Sequence, residues 1–405
     1  MPVPASTLVS DRPLRLGVVG TGFIAKGLLG LLGLPQFSAD FVASRVLTRR
    51  AGAIEGVSPA LVTQSMTQLV ESSDIVVECS GDVNRAAEVV REAFAAGLPV
   101  VTMGAEFHVT LGSYFAERGL ITEAEGDQPG STAALREEAI SMGFEPLVYG
   151  NIKGFLNHFP APEEMQFWSE KNGISMAQVT SFTDGTKLQI EQALVANGLG
   201  ADIAKRGLLG PKDEELDISA ATLGRLAKGM GSSLSDYVLN RGLPAGVFVV
   251  GEHSATSPDV LRYLKLGEGP YYTLLRPYHL CHLEMLKTLR RVANGGGVLL
   301  NNSTKPRVNV AAVAKRDLKP GTLIETAAGG FDMRGEAVRF SEEPHAVPMG
   351  LLTGARLVRK VARGQTLAWR DVDLPDNLAT QIGISLHEQR LAEVKVLPLA
   401  EPSQV

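Results

Sequence analysis

Between Leu275 and Met285 the stretch LRPYHLCHLEM places two of the chain's seven histidines, one of its two cysteines and a glutamate close together. His279 and His282 are three apart and share a helix face, as a metal would need. However, His282 lies among Leu280, Leu283 and Leu286, and no second His/Cys cluster completes a tetrahedral set. Pro277 suits the first position of a helix over 277–294, which makes Arg276 its cap and leaves the N–H groups of Tyr278 and His279 free. Such an end attracts anions, so Arg276 is a candidate to hold a substrate phosphate or carboxylate; the alternative is an ion pair with an acid such as Glu268. The same positive end favours a neutral His279, read either as a substrate-contacting acid–base group or as a satisfied core histidine.

Other polar residues interrupt apolar runs. Lys153, in YGNIKGFLN, follows a strand end, where α/β active sites gather, or is a surface lysine. In SFTDGTKLQIEQALVANG, Asp184-Gly185 signals a turn and Lys187 and Glu191 fall at i,i+4 on a helix, with Asn197 beyond. That pair belongs to a site or is a solvent-facing ion pair. Glu125 and Asp127, in EAEGDQPGS, lie in a loop after a strand; two carboxylates there suit a divalent cation that orients a ketone and a hydroxyl, or are merely solvated.

These residues need a scaffold, and the first half of the chain describes one. An apolar strand over 14–19 runs into Gly20-x-Gly22-x-x-Ala25, which opens a helix. Gly20 permits a tight turn, Gly22 lets backbone approach a pyrophosphate, and Ala25 allows close helix–strand packing. Phe23 and Ile24 complete the loop, whose helix N-terminus offers free N–H groups to phosphate. FVASRVL, DIVVECSG and LPVVTM are further strands, with helical stretches such as VNRAAEVVREAFAAG between them, so the sheet is parallel and doubly wound. Ser80-Gly81 and Met103-Gly104, at the ends of two of these strands, are candidate cofactor contacts. Asp40, at the usual distance for a ribose-binding acid, precedes its strand and so sits at the wrong end. Thr48, Arg49 and Arg50 stand at the correct end, and the arginines suit a 2′-phosphate, which favours NADP(H). A solvated arginine pair is the alternative.

DIVVECSG, AAGLPVVTMGAEF and ITEAEGDQPGS follow the order found in homoserine dehydrogenase, which this chain resembles. Where that family has an Asn-Lys pair, this chain has Gly104 and Ala105. A narrower resemblance rests on GDQPGS, DGTKLQIEQALVANGLG, LPAGVFVV, LGEGPYYTLLRPYHL and AKRDLKPG. It is to the 1-deoxy-D-xylulose-5-phosphate reductoisomerase-like oxidoreductases, which carry a C-terminal SAF domain on a homoserine-dehydrogenase scaffold. The resemblance implies NADPH-dependent reduction coupled to rearrangement of a sugar phosphate, in isoprenoid biosynthesis. It also carries Lys153, Lys187, Glu191 and Asn197 across as site residues, and Asp127 as shared.

The expected fold is therefore α/β: a Rossmann-type doubly wound parallel sheet over 1–150, and an α+β substrate domain over 151–304 whose helix near 277–294 packs back on the first. A small all-β SAF-like domain over 305–405 follows. The expected function is an NADP(H)-dependent oxidoreductase, reductoisomerase-like, acting on a small phosphorylated or polyhydroxylated carbonyl compound. Lys153 and Lys187 would polarise the carbonyl, and Glu191 or His279 would move the proton. Two alternatives are a homoserine or semialdehyde reductase and a non-catalytic nucleotide-sensing or assembly protein that uses the SAF module. A net charge of −5 with no basic stripe argues against nucleic acid. No apolar run spans a membrane, no signal peptide is evident, and two distant cysteines fit a reducing compartment. A cytoplasmic homo-oligomer is the expectation.

Overall fold

The computed structural model describes Leu8 and residues 12–50, 52–212 and 215–396. Residues 1–7 and 9–11, on which the reading against a signal peptide rests, lie outside the described residues. Among the described residues no helix is long and apolar enough to cross a membrane.

Six short strands form the first sheet: β1 (Leu14–Val19), β2 (Phe41–Leu47), β3 (Val62–Thr63), β4 (Ile75–Glu78), β5 (Val100–Thr102) and β6 (Ile121–Glu123). All pair in parallel in the order β3-β2-β1-β4-β5-β6, the doubly wound order of dinucleotide-binding domains. The strands are near-continuous apolar runs because helices cover both faces of the sheet. Helix α1 (Phe23–Leu32) buries Ala25, Leu28 and Leu32, spaced to share one face. Helix α2 (Val83–Ala95) starts at Asp82, whose carboxylate accepts the Arg85 N–H at 2.9 Å.

Helix α3 (Gln128–Ser141) leads to β7 (Glu145–Lys153), and helix α4 (Thr186–Leu199) follows. Strands β8 (Leu234–Leu239), β9 (Val247–Glu252) and β10 (Tyr272–Arg276) complete a mixed sheet ordered β10-β9-β7-β8. Helix α5 (His282–Ala293) then returns to the first sheet, where Met285, Leu286, Leu289 and Val292 join the core beneath α1.

The C-terminal module holds β11 (Val308–Ala314) paired antiparallel with β12 (Met333–Arg339), and the short pair β13 (Arg356–Leu357) and β14 (Val372–Asp373). It ends in helix α6 (Leu378–Val396), which the all-β expectation for this region does not include. Ala379, Ile382 and Leu386 of α6 pack beside Val83, Ala86 and Val90 of α2.

Helix α4 is the element on which the three parts meet. Residues Leu188 through Asn197 are all buried, so each polar side chain on it needs a partner. Thr186 Oγ1 accepts the Gly335 N–H at 2.9 Å, and Gln189 Oε1 accepts that of Ala337 at 2.8 Å. Gln192 donates to the Tyr149 carbonyl at 3.0 Å. Asn197 accepts from the N–H groups of Arg307 and Val308, at 2.8 and 2.9 Å. Just before the helix, Asp184 meets Lys315 of the C-terminal module at 2.5 Å, with both side chains almost fully buried. The apolar residues of α4 share one core with β11 and β12.

Candidate active site

The glycine loop behaves as its two positions require. Gly20 has φ +101°, and a Cβ there would lie 2.7 Å from the Cys79 carbonyl. Gly22 caps α1, and a Cβ on it would meet nothing within 4 Å, which leaves room for a phosphate against the backbone. Phe23 is exposed, Ile24 half-buried and Ala25 buried. At the ends of β4 and β5, the Ser80 N–H is tied to Glu78 at 2.7 Å and the Gly104 N–H to Thr102 at 2.9 Å. A cavity of about 540 Å³ opens there, lined by Arg50, Ser80, Gly81, Met103 and Gly104 on one side and by Lys187 on another. Arg49 reaches across to Asp82 at 2.9 Å. Asp40 stands just before β2 and pairs with Arg290 instead. The open loop and the adjoining cavity fit a dinucleotide.

Behind the cavity lies a cluster of polar side chains drawn from four elements. Lys187 Nζ sits 2.8 Å from Asp127 Oδ2 and 3.4 Å from Glu191 Oε1. Lys153, at the end of β7, is 3.9 Å from the second oxygen of Glu191, which also accepts from Asn151 at 2.9 Å. The Gln128 amide satisfies its neighbours when its nitrogen donates to Asp127 Oδ1 and Glu191 Oε1, at 2.8 and 3.1 Å, and its oxygen accepts from His279 Nε2 at 3.1 Å. That assignment puts a proton on His279 Nε2 and leaves Nδ1, buried and without a partner among the described residues, as an acceptor.

Electrostatics set the charge states. Burial works against the Lys187 ammonium, but the charges of Asp127 and Glu191 more than offset it and raise its pKa above the ordinary lysine value. Burial likewise opposes the Asp127 carboxylate, yet Lys187 holds its pKa below the usual range. Lys187 is thus a permanent cation and not a base. Aimed at a substrate oxygen, it stabilises negative charge that develops there.

The structure therefore brings together Lys153, Lys187, Glu191, Asp127 and His279, and it separates the rest. Asn197 faces the other way, clamping Asn302 and Val308. Arg276 is the last residue of β10 and caps no helix, because α5 begins at His282. Its guanidinium is buried and committed to Glu125 and Glu138, each at 2.7 Å, so it is not free to grip a substrate anion. Glu268, the partner weighed for it, pairs with Arg262.

The helix starts late because the Cys281 N–H donates to the Gly126 carbonyl at 2.8 Å and Cys281 adopts φ +51°, a turn that a helix cannot hold. Glu284 then accepts the Leu280 N–H at 2.8 Å. His282 packs edge-on against Phe23, with ring centroids 5.2 Å apart, so the two histidines serve different neighbours. Glu125 is held by Arg276 and Lys287 and Asp127 by Lys187, so the two carboxylates are paired with different side chains. Among the described residues no group of three His, Cys, Asp or Glu side chains forms a metal cluster.

Three residues escape the sequence reading. Asn151 and Gln128 bind the Glu191 carboxylate, and only the fold brings them to it. Glu106, two residues past Gly104, lines the same cavity, and its place just after a strand end is a signal the sequence does carry. A π-helical turn, His108–Gly112, begins two residues on, a local irregularity frequent at functional sites.

Residues 20–114 match the family model for the NAD binding domain of homoserine dehydrogenase, and residues 126–285 that for the catalytic domain of oxidoreductase DRL. No curated protein matches. Similar solved structures include a homoserine dehydrogenase from Thiobacillus denitrificans, at 13% identity over 93% of this chain and 95% of that one, with a TM-score of 0.46. A homoserine dehydrogenase from S. aureus aligns at 11% identity over 81% and 93%, with a TM-score of 0.38. A UDP-N-acetylglucosamine 3-dehydrogenase from Acidithiobacillus ferrooxidans aligns at 12% over 71% and 92%, with a TM-score of 0.39. The two domain matches make the chain an oxidoreductase of the dehydrogenase type with a nicotinamide-dinucleotide-binding domain.

Proposed function

We propose that this oxidoreductase interconverts a small polyhydroxylated carbonyl compound and its alcohol, with NADP(H) as cofactor. One observation carries the reading: a fixed cation, Lys187, stands in the wall of the cavity that begins at the cofactor-facing Met103 and Gly104. The nicotinamide, when bound, supplies or accepts the hydride with its two electrons. The chain's own part is to hold the substrate oxygen against Lys187 and to keep Lys187 oriented through Asp127 and Glu191. Ser175, Gln178 and Ser181 line the same cavity and offer hydrogen-bonding partners to substrate hydroxyls. With Arg276 committed elsewhere, Lys153, beside Glu191 at the end of β7, is a cation that could meet a substrate phosphate. The separate pairing of Glu125 and Asp127 favours simple reduction over a cation-assisted rearrangement.

A fluorescence titration with NADPH and NADH, followed by turnover of a panel of hydroxylated aldehydes and ketones with and without phosphate, tests the reading. NADPH oxidation by at least one of them is expected, and its absence across the panel overturns the proposal. For the cofactor, Arg49 and Arg50 at the end of β2 lead to an expected preference for NADPH of about tenfold, roughly 1.4 kcal/mol. The 2′-phosphate competes with Asp82 for Arg49, so Arg49→Asp removes the preference. Equal affinities in the parent protein would refute this.

A further inference from the structure

A residue that exchanges a proton with the substrate oxygen must face the cavity, must not be tied up by a permanent partner, and must have a route to solvent. Five side chains lining the cofactor cavity are ionisable: Arg50, Glu78, Asp82, Glu106 and Lys187. Arg50 carries a guanidinium, which offers hydrogen-bond donors and no acceptor. Glu78 is fully engaged, accepting from the Ser80 N–H and from Thr102 Oγ1. Asp82 caps α2 and pairs with Arg49. Lys187 is locked as a cation between two carboxylates. Glu106 differs from all of them: among the described residues its carboxylate makes no hydrogen bond and no ion pair, while only its backbone carbonyl is used, by Thr110 at 2.6 Å. His279, the other candidate, does not line this cavity and donates its Nε2 proton to Gln128.

The local sequence explains why Glu106 points inward to the cavity. Its neighbours Ala105 and Phe107 are both buried in separate apolar clusters, which anchors the turn on either side and leaves the residue between them facing the open space. Glu106 also lines a second cavity, of about 480 Å³, bounded by Asn84 of α2 and by Thr326, Thr353 and Thr380 of the C-terminal module. Glu106 thus lines both cavities, which also share Gly81, Asp82, Val83, Ala177 and Ala328 in their walls.

We propose that Glu106 is the catalytic acid–base of this site, exchanging a proton with the substrate oxygen and passing it to solvent through the second cavity. The inference rests on the proposed dehydrogenase reading. With the two C–H electrons accounted for by the nicotinamide, the residue's own share is the proton: in the oxidation direction the substrate O–H bond breaks and its proton moves to the Glu106 carboxylate. In reduction the protonated carboxyl returns it to the oxygen that Lys187 has stabilised. The charged groups facing Glu106 are Lys187 from α4 and Asp82 from the cap of α2, with Glu78 and Arg50 elsewhere on the cavity wall and His108, buried and neutral, two residues on. Burial pushes the Glu106 carboxyl up to about 7, against the pull of Lys187 and with the push of Asp82. A group titrating there can both take and give a proton at neutral pH.

Two measurements on full-length Glu106→Gln and Glu106→Asp decide the matter. The first needs no substrate: carboxyl titration by difference infrared spectroscopy, parent minus Glu106→Gln, is expected to show one carboxyl titrating between pH 6 and 8. A difference signal confined to pH 4–5 overturns the proposal. The second is the pH profile of kcat/KM on a substrate accepted by the parent. In oxidation it rises through pH 7 as the carboxylate forms, and in reduction it falls there as the acid is lost. Glu106→Gln is expected to remove that limb and to lower kcat about 100-fold or more, with dinucleotide affinity unchanged, while Glu106→Asp restores part of the rate and the limb. Parent-like turnover and an unchanged profile in Glu106→Gln would overturn the assignment. A parent that turns over nothing in the panel sinks the dehydrogenase reading instead, and the titration still judges Glu106.

Discussion

Lys187→Met is expected to lower turnover by about 100- to 1000-fold while leaving NADPH affinity within a factor of two of the parent. That range is what loss of a single preorganised donor to a developing oxyanion costs in other enzymes. The reasons are geometric and electrostatic together. Lys187 enters the cavity wall where the substrate oxygen would lie, and two anions keep it charged at every working pH. Methionine preserves much of the apolar stem and removes the charge. It also strands Asp127 and Glu191, whose repulsion is then relieved by Asp127 taking up a proton, since Lys187 is what holds that carboxylate ionised. Dinucleotide affinity should hold because the glycine loop and the ends of β4 and β5 are untouched. Thermal unfolding of the same preparation separates lost chemistry from lost fold, and a folded variant with near-parental turnover would remove Lys187 from the mechanism.

The largest stability effect is expected at Lys315. Its ammonium and the Asp184 carboxylate are 4% and 0% exposed and meet at 2.5 Å, with a further hydrogen bond from Lys315 to the Gly330 carbonyl. Removing one partner of such a pair leaves a buried, uncompensated charge, so Lys315→Met should cost about 3–5 kcal/mol in urea unfolding. Removing both charges, in Asp184→Asn with Lys315→Met, should recover a large part of the loss, because no bare carboxylate then remains. A single-variant loss below about 1 kcal/mol would mean that water reaches the pair and that the contact between α4 and the C-terminal module is looser than these distances imply.

What the sequence makes legible here are the features set by local spacing. Gly20 and Gly22 announce themselves because a φ of +101° and an open cradle are demands on single residues. Lys187 and Glu191 are legible as a pair because four residues turn an α-helix by about 400°, bringing them to one face. Asn197 lies ten residues from Lys187, about 15 Å further along the axis and turned about 80° away, and so reaches a different neighbour. The stretch after Arg276 misleads for a different reason. Pro277 invites a helix, but the chain there is docked on Gly126, some 155 residues earlier, and no local pattern contains that contact. Helix α6 does carry its own signal, Asn377 accepting the Thr380 N–H and Ala379, Ile382 and Leu386 spaced along one face. Glu106 is identifiable only once the fold shows which of its neighbours are already paired.

The hydrogen bonds from Thr186, Gln189 and Asn197 to residues 307–337 have a consequence for how the molecule comes apart and how it is made. The amides of α4 and of the strands it grips should exchange with solvent deuterium at a common rate, as one unit, in place of opening domain by domain. During synthesis, a ribosome that has delivered the glycine loop, Asp127 and Lys187 has not yet supplied the partners that hold α4 straight. The nucleotide half can fold early; Lys187 settles only when β12 arrives.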